Sequence, residues 1–292
     1  MTAELIRGAP IAGALRQEVS AAVEAGDVRP CLVNVVVGDA GASAAYLSAL
    51  DKAALKRGIE SRRAELPVDV SQSSLEKAVL DLGADADVHG LMLQLPLPKA
   101  LDAGAVTSLI PATKDVDGLT TRSLGAVLSG DRRHTAPATA SAVVEMLCSD
   151  ERLFPKGRHV VIVGRSLVVG RPLAAMLGGY GPGGDATVTI CHSRTPNLAE
   201  HTLRGDIVVV AVGSKHLLTP EMVSPGAIVV DVGTHAIEVE GRWTLTGDAH
   251  PDVAEVAGYL TPVPGGVGTV TTAILMRHVA AAALPGALPA SW

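Results

Sequence analysis

The stretch VVIVGRSLVVGRP, residues 160–172, decides the fold of this 292-residue chain. Its first four residues are all apolar and β-branched, a pattern that predicts a strand buried on both faces. The turn that follows begins and ends on glycine and leads into a helix, an arrangement that lets backbone N–H groups approach a pyrophosphate. The spacing G-x-S-x-x-x-G meets the dinucleotide fingerprint G-x-G-x-x-G only approximately. Taken alone, the loop also fits a tight turn in an α/β domain that binds no dinucleotide.

Strand-like runs on either side of this stretch extend the same architecture. After it, three further apolar runs predict a doubly wound sheet of the nucleotide-binding type: 187–190, 207–212 and 228–232. Before it, strand-like and helix-like runs alternate, which implies parallel pairing: 32–37, 43–57 and 90–95. We therefore predict an α/β protein of two domains, residues 1–140 and 141–270, with a helix at 271–283 that fits either domain.

Composition narrows the class of protein. Hydrophobic residues make up 48% of the chain but aromatic residues only 2%, so the cores must be aliphatic. The net charge of -6 argues against nucleic acid or an anionic membrane as a partner. Three scattered cysteines favour buried thiols in a reducing cytoplasm over a disulfide framework or a metal site. Neither a membrane-spanning run nor a signal peptide is recognisable, so we expect a cytoplasmic protein without a bound metal.

The end of the second strand of the nucleotide-binding half favours NADP over NAD. An NAD enzyme normally places Asp or Glu there, where the carboxylate accepts a hydrogen bond from the ribose 2′-OH. Here the strand runs into His192, Ser193 and Arg194 without an acid, and Arg165 lies on the glycine turn. Cationic and hydroxyl groups favour a 2′-phosphate, which a carboxylate would repel. We predict NADP as the cofactor and interpret His192 as a loop residue rather than a catalytic base.

Four other strings place polar groups or tight turns at the ends of buried strands, where α/β clefts form. They are SAAY (43–46), QLPLP (94–98), KDVDG (114–118) and TPVPGGVG (261–268). Any single string has a purely structural interpretation, in which Gln94 and Asp117 cap turns and Tyr46 belongs to the core. Four of them beside a dinucleotide loop favour a functional site.

Together these strings resemble the methylenetetrahydrofolate dehydrogenase/cyclohydrolase family. The strings QLPLP, KDVDG, GRS-x-x-VG-x-P and TPVPGGVG occur in the family's order, and the resemblance runs from near residue 30 to near residue 280. It implies an N-terminal α/β catalytic domain, a Rossmann-type NADP-binding domain and a cleft between them. It also implies that a C-terminal helix, at about 271–292, completes the first domain and that the protein is a homodimer.

The resemblance further implies roles for individual residues. Tyr46 would stack on the aminobenzoyl ring of the folate, Asp117 would hydrogen-bond the pterin, and Gln94 would lie beside the one-carbon centre. The wider substrate set adds Leu50, Lys52, Leu95, Pro264, Gly265, Gly266 and Val267, the last four in a loop that would close over the substrate. The NADP site would comprise Gly164, Arg165, Ser166, Ser193 and Thr234.

Leu50 departs from the family pattern. The family's helix reads S-x-x-Y-x-x-x-K-x-K, and this chain has Tyr46, Leu50 and Lys52 at the last three positions. In the family, the first lysine handles protons when water attacks the methenyl cation in the cyclohydrolase step. Leucine can neither donate nor accept a proton. Lys52 is a poor substitute because two residues turn a helix by about 200°. We therefore predict NADP-dependent oxidation of methylenetetrahydrofolate to methenyltetrahydrofolate, with weak or absent cyclohydrolase activity.

Three alternatives stay open from the sequence. The chain is a full bifunctional dehydrogenase/cyclohydrolase, a folate- and NADP-binding homologue that has lost its chemistry, or a two-domain dehydrogenase acting on a hydroxy acid or an amino acid. The last class usually relies on a Lys–Asp or His-based proton relay, which Leu50 makes a poor fit.

Overall fold

The computed structural model describes residues 2–39, 41, 44–239 and 241–289, so Ser43 of the SAAY string and residues 290–292 of the predicted last helix lie outside it. The strands are β1 (Glu4–Leu5), β2 (Cys31–Val37), β3 (Glu60–Leu66), β4 (Gly90–Leu93), β5 (His159–Val163), β6 (Thr187–Cys191), β7 (Ile207–Val210), β8 (Ile228–Asp231), β9 (His235–Val239), β10 (Arg242–Thr246) and β11 (Tyr259–Leu260). The helices are α1 (Gly8–Ala25), α2 (Ala44–Leu55), α3 (Gln72–Ala84), α4 (Ala103–Ser108), α5 (Thr121–Ser129), α6 (Ala138–Leu147), α7 (Gly170–Gly178), α8 (Leu198–Thr202) and α9 (Val267–Ala283).

A six-stranded parallel sheet forms the nucleotide-binding half, in the order β1-β11-β8-β7-β5-β6. Strands β7 and β8 are buried along their whole length, because helices cover both faces of a doubly wound sheet. Alternate residues feed two cores: Val160 and Ile162 pack on one face, and Val161 and Val163 on the other. The carboxyl ends of β5, β6, β7 and β8 meet at one edge, where the doubly wound fold binds its ligand.

A second, three-stranded parallel sheet has the order β3-β2-β4. Leu32 of β2 packs with α2 and α9 on one face, and Val33 packs with α3 and α4 on the other. The α/β fold class predicted from the sequence is thus confirmed.

Helix α9 belongs to two cores. Val270 and Ile274 in its first half lie in the core of the six-stranded sheet. Leu275 and Met276, the next two residues, lie in the core of the three-stranded sheet. Helix α1 packs along α9. It also contributes residues to both cores, Leu15 to the first and Val19 to the second, so this helix pair joins the two halves of the molecule.

Several predicted boundaries differ from the structure. The last helix begins at Val267 rather than residue 271 and ends at Ala283, because Val267 and Val270 are already buried in the core. Strand β1 lies at residues 4–5 yet pairs with β11 of the six-stranded sheet, although the sequence assigned residues 1–140 to the other domain. Within the described ranges, no helix has both the length and the apolar character needed to cross a bilayer.

Asp115 provides a test of how the KDVDG segment is held. Its buried carboxylate accepts hydrogen bonds from the backbone of Gly118, Leu119 and Thr120 and from the Ser123 hydroxyl, at 2.6–3.1 Å. Asp115→Ala leaves these donors without an acceptor, so the free energy of unfolding should fall by about 3–5 kcal/mol. Urea denaturation measures this. Asp102→Ala removes only the cap of the short helix α4 and should cost about 1 kcal/mol; equal losses in the two variants would contradict the assignment.

Candidate active site

The predicted phosphate loop closes tightly on its own backbone. Gly164 has a φ of +132°, and a Cβ there would overlap the Ala211 carbonyl oxygen. A Cβ at Gly170 would overlap the carbonyl oxygen of Gly164. The Ser166 hydroxyl accepts a hydrogen bond from the Val169 N–H at 3.1 Å. These contacts require glycine at both ends of the loop, and they bring the backbone close to any phosphate at the start of α7.

The neighbouring strand end is cationic. Arg165 and Ser166 are exposed after β5, and Ser193 and Arg194 are exposed after β6, the strand hydrogen-bonded to β5. The His192 ring accepts a hydrogen bond from the Arg194 N–H at 3.1 Å, which supports its interpretation as a turn residue. In the described part of the chain, neither arginine forms a salt bridge. The cradle and these cations fit a dinucleotide that carries a 2′-phosphate.

Tyr46 and Asp117 come from different elements but interact electrostatically. Tyr46 lies in the first turn of α2, and Asp117 lies in the segment that pairs with β4 through a Leu91–Asp115 bridge. Burial, with the Asp117 carboxylate as the second cause, raises the pKa of Tyr46 to about 12. The Tyr46 side chain remains 42% exposed, so its ring can still contact a substrate. The structure therefore brings together two of the three predicted catalytic residues.

The two carboxylates of the KDVDG string have different roles. Asp115 is committed to its four internal hydrogen bonds. Asp117 is half-buried, and its carboxylate forms no hydrogen bond to the described residues. Burial, together with the nearby Asp115 charge, raises the pKa of Asp117 to about 7. A desolvated acid that lacks internal partners is suited to bind a ligand that donates hydrogen bonds.

Gln94 lies at the carboxyl end of β4. Its N–H donates to the Val35 carbonyl at 2.9 Å, which continues the ladder beyond the strand. Its side-chain amide donates to the Leu95 carbonyl at 3.1 Å. The strand pleat puts Gln94 on the same sheet face as Met92, the face that α2 covers. Leu95 is partly exposed at the same end of the sheet.

Leu50 is not at the surface of the site. The sequence placed it among substrate-contacting residues, but its side chain is 1% exposed. It packs with Leu32, Met92 and Leu275, because an apolar side chain at this position turns into the core. Lys52 lies on the exposed side of α2, which agrees with the rotation expected from a two-residue step.

The predicted closing loop is shorter than expected. Pro264 and Gly265 are exposed in a turn, whereas Gly266 is buried and precedes α9. Val267 is the first residue of that helix and is buried in the core, so its assignment to a substrate-covering loop is wrong. The Gly8 N–H donates to the Gly265 carbonyl at 2.8 Å, which fixes the turn against the start of α1.

Sequence reasoning missed two buried carboxylates behind the predicted cofactor loops, Asp231 and Asp248. Asp231 is the last residue of β8, just before the exposed Thr234 of the predicted cofactor set. The signal that could have identified it is an acid at the end of an otherwise aliphatic strand. Asp248 follows the β9–β10 hairpin and carried no comparable signal.

Neither a metal-binding cluster nor a deep cavity marks the site among the described residues. No group of three metal-binding side chains occurs among the residues that the structure describes. Three cavities of about 250, 650 and 420 Å³ are lined by other residues. The candidate site is therefore recognised by the strand ends and loops that converge on it.

Comparisons with known proteins agree with this layout. Residues 6–117 match the tetrahydrofolate dehydrogenase/cyclohydrolase catalytic domain and residues 137–285 match the NAD(P)-binding domain of the same family. The chain is 40% identical to bifunctional protein FolD 1 of Myxococcus xanthus over 288 residues, which is 96% of this chain and 98% of that protein.

Two solved structures have the same fold. The bifunctional FolD enzyme from Campylobacter jejuni aligns with a TM-score of 0.88 at 33% identity, over 96% of this chain and 98% of its own. The Trypanosoma brucei FolD enzyme, determined with NADP and an inhibitor, aligns with a TM-score of 0.85 at 36% identity, over 96% of both chains. With both domains matched in order, this chain belongs to the tetrahydrofolate dehydrogenase/cyclohydrolase family.

Proposed function

We propose that this enzyme oxidises methylenetetrahydrofolate to methenyltetrahydrofolate with NADP as the hydride acceptor. The effect of the Asp117 carboxylate on the pKa of Tyr46 carries the proposal, because it supports an aromatic platform near an acid that forms no hydrogen bond to the described residues. Family membership supports it, as does the NADP bound by the Trypanosoma brucei relative. NADPH formation, followed on mixing the protein with NADP and methylenetetrahydrofolate, tests it. Binding of both molecules without NADPH would instead identify a homologue that has lost its chemistry.

The residues of this chain supply binding and orientation. NADP, when bound, supplies the nicotinamide carbon that accepts the hydride. Tyr46 stacks on the aminobenzoyl ring of the folate, and Asp117 in its carboxylate form accepts hydrogen bonds from pterin N–H groups. Positive charge develops on the folate as hydride leaves, so a nearby carboxylate also favours the transition state electrostatically. Gln94 lies beside the one-carbon unit and limits its orientation.

The preference for NADP rests on the ends of β5 and β6. Arg165 and Ser193 bind the 2′-phosphate in this proposal, and Gly164, Ser166 and Thr234 line the rest of the cofactor site. A carboxylate that would repel the phosphate is missing from residues 192–195.

The full bifunctional activity is the second candidate, and the names of the relatives favour it. Both the Myxococcus xanthus and the Campylobacter jejuni proteins are named bifunctional. The comparisons therefore do not support weak cyclohydrolase activity, which stays a prediction from Leu50 alone.

Assembly and location also stay proposals. We propose a cytoplasmic homodimer. The three cysteines are free thiols, and Cys31 and Cys191 are buried, which agrees with a reducing compartment.

Arg165→Ala should weaken NADP selectively. The guanidinium would form charge-assisted hydrogen bonds with the 2′-phosphate, so KM for NADP should rise about tenfold or more while KM for NAD changes little. Initial rates with each dinucleotide measure this. Arg204→Ala, an exposed arginine just before β7 at the opposite edge of the same sheet, should change neither constant. A parallel rise for both dinucleotides in Arg165→Ala would remove the assigned role.

Asp117→Asn should abolish a pH dependence of folate binding. With its pKa near 7, Asp117 is neutral below that pH and is the accepting carboxylate above it. KM for methylenetetrahydrofolate should therefore fall between about pH 6 and pH 8 in the wild type and stay high and flat in the variant. Asp69→Asn, at an exposed acid, should keep the wild-type profile. A profile in Asp117→Asn that still matches the wild type would exclude this role.

The raised pKa of Asp117 also affects the stability of the folded protein. Because the folded pKa lies above the ordinary value of 3.8, the folded protein holds a proton that the unfolded chain releases between these two pKa values. The contribution of Asp117 to the free energy of unfolding therefore decreases as pH rises from about 4 to about 7. In Asp117→Asn, the free energy of unfolding measured by urea denaturation should lack this part of the decrease between about pH 4 and about pH 7.

Leu50→Lys should raise hydrolysis of methenyltetrahydrofolate. Loss of a general acid or base costs about 10² to 10⁴ in rate, so wild-type hydrolysis should be slow and the lysine should raise it by up to that factor. Leu50→Met keeps the side-chain volume and should not restore hydrolysis, which separates proton handling from packing. The dehydrogenase rate of each variant reports whether the buried substitution has disturbed the fold. Wild-type hydrolysis as fast as dehydrogenation would show that Leu50 does not limit it.

A further inference from the structure

Two acids behind the cofactor loops, Asp231 and Asp248, are buried, and no lysine or arginine of the described residues forms an ion pair with them. Asp231 is 4% exposed and Asp248 is 0% exposed. In the described ranges, the one basic group that reaches Asp248 is His235, at 2.7 Å. Burial, as the largest cause, raises the pKa of Asp231 to about 6. Buried carboxylates are costly unless hydrogen bonds compensate them, so the bonds that these two accept indicate what they hold in place.

Asp248 ties together the loops that follow β7 and β8. Its Oδ2 accepts hydrogen bonds from the Val212 N–H at 2.7 Å and the Gly213 N–H at 3.0 Å, both just beyond β7. Its Oδ1 accepts a hydrogen bond from the His235 Nε2–H at 2.7 Å, beside Thr234. A single carboxylate therefore fixes the separation of two neighbouring loops at the ligand-binding edge of the sheet.

Asp231 in turn holds the segment that carries Asp248. Its carboxylate accepts hydrogen bonds from the N–H groups of Gly233, Asp248 and Ala249 at 2.9–3.0 Å. The Thr261 hydroxyl accepts a hydrogen bond from the Asp231 N–H at 2.7 Å. A network of four short segments thus converges behind the two loops, and none of its donors or acceptors needs to contact a ligand.

The packing around the network leaves no room for adjustment. A Cβ at Gly233 would overlap the Asp248 carboxylate, and a Cβ at Gly247 would overlap the Asp231 carboxylate. Glycine at both positions lets the backbone approach the acids closely. The two loops are therefore held by a rigid support.

The strand order assigns these loops to one half of the cofactor. Strand β5 carries the phosphate loop and β6, on one side of it, carries the cationic strand end for the 2′-phosphate, while β7 and β8 lie on the other side. A dinucleotide that crosses the sheet edge with its pyrophosphate at β5 and its adenosine half at β6 must place its nicotinamide half over β7 and β8.

We infer that Asp248 is a positioning residue for the nicotinamide half of the dinucleotide, acting through the loops that contain Val212, Gly213 and Thr234. The inference rests on the proposed use of NADP. It assigns His235 a supporting role, because the His235–Asp248 hydrogen bond joins the β8 loop to the carboxylate. The acid itself is fully buried and does not contact the cofactor.

Asp248→Asn tests the inference by separating the two halves of the cofactor. The amide replaces one accepting oxygen with a donor, so at least one loop loses its tether. We expect Kd for NADP, measured by calorimetry, to rise about tenfold to a hundredfold. Kd for adenosine 2′,5′-bisphosphate, which lacks the nicotinamide half, should stay unchanged. Asp252→Asn, at an exposed acid of the same segment, should change neither value.

His235→Ala and His235→Gln provide a second, milder test in case Asp248→Asn does not fold. His235→Ala should weaken NADP several-fold without affecting the bisphosphate, and His235→Gln, which can still donate to Asp248, should recover most of the loss. The inference would be overturned if His235→Ala bound NADP as tightly as the wild type. It would also be overturned if Asp248→Asn or His235→Ala weakened binding of NADP and of the bisphosphate equally. Failure of wild-type protein to form NADPH from methylenetetrahydrofolate would overturn the proposed function alone, since these binding constants need no turnover.

Discussion

Burial of α9 in two cores is the constraint on which the rest of the structure depends. Its first half packs against the six-stranded sheet and its second half against the three-stranded sheet. Each large aliphatic side chain that it buries contributes about 1.5–3 kcal/mol, and these contributions stabilise both halves of the molecule at once. Moving one sheet relative to the other would expose part of the helix. The turn at Pro264 and Gly265, which leads into α9 and is hydrogen-bonded to Gly8, is therefore fixed with respect to both halves.

The strands could be predicted from sequence where burial on both faces leaves an uninterrupted aliphatic run, as in residues 160–163. Strand β3, with the sequence ESRRAEL, could not, because it lies at the edge of its sheet and four of its seven residues are charged. Strand β1 was missed because two residues carry no periodicity, and its partner β11 lies far away in sequence. The start of α9 was placed too late because glycine and proline before Val267 indicate a loop, whereas the burial of Val267 is a tertiary effect.

The site residues show the same limit at the level of single carboxylates. The KDVDG string presents Asp115 and Asp117 as equivalent acids two residues apart. The structure gives Asp115 four hydrogen bonds, whereas the Asp117 carboxylate forms none to the part of the chain that the structure describes. Asp248 carried no motif, yet its carboxylate tethers two loops. Sequence patterns identify the residue types that suit the chemistry, but the folded backbone decides which acid is used for structure and which can meet a ligand.

Hydride transfer and hydrolysis make different demands on this scaffold, and the proposed function assigns the chain more of the residues for the first than for the second. Hydride transfer needs aligned reactants and a polar rim, which exposed Tyr46, half-buried Asp117 and the loops after the strands supply in this proposal.

Hydrolysis also needs a titratable group on the buried side of α2, where Leu50 stands. That side is not wholly apolar, because Asn34 lies on the same sheet face as Leu32 and Met92 and is 1% exposed. Among the described residues, neither of its side-chain polar atoms has a hydrogen-bond partner. A lysine at position 50 would therefore have its aliphatic stem among the core residues of a face that also carries a polar side chain. Under the proposed function, a one-step and a two-step enzyme on this fold would differ in whether the side chain at position 50 packs in the core or reaches the substrate.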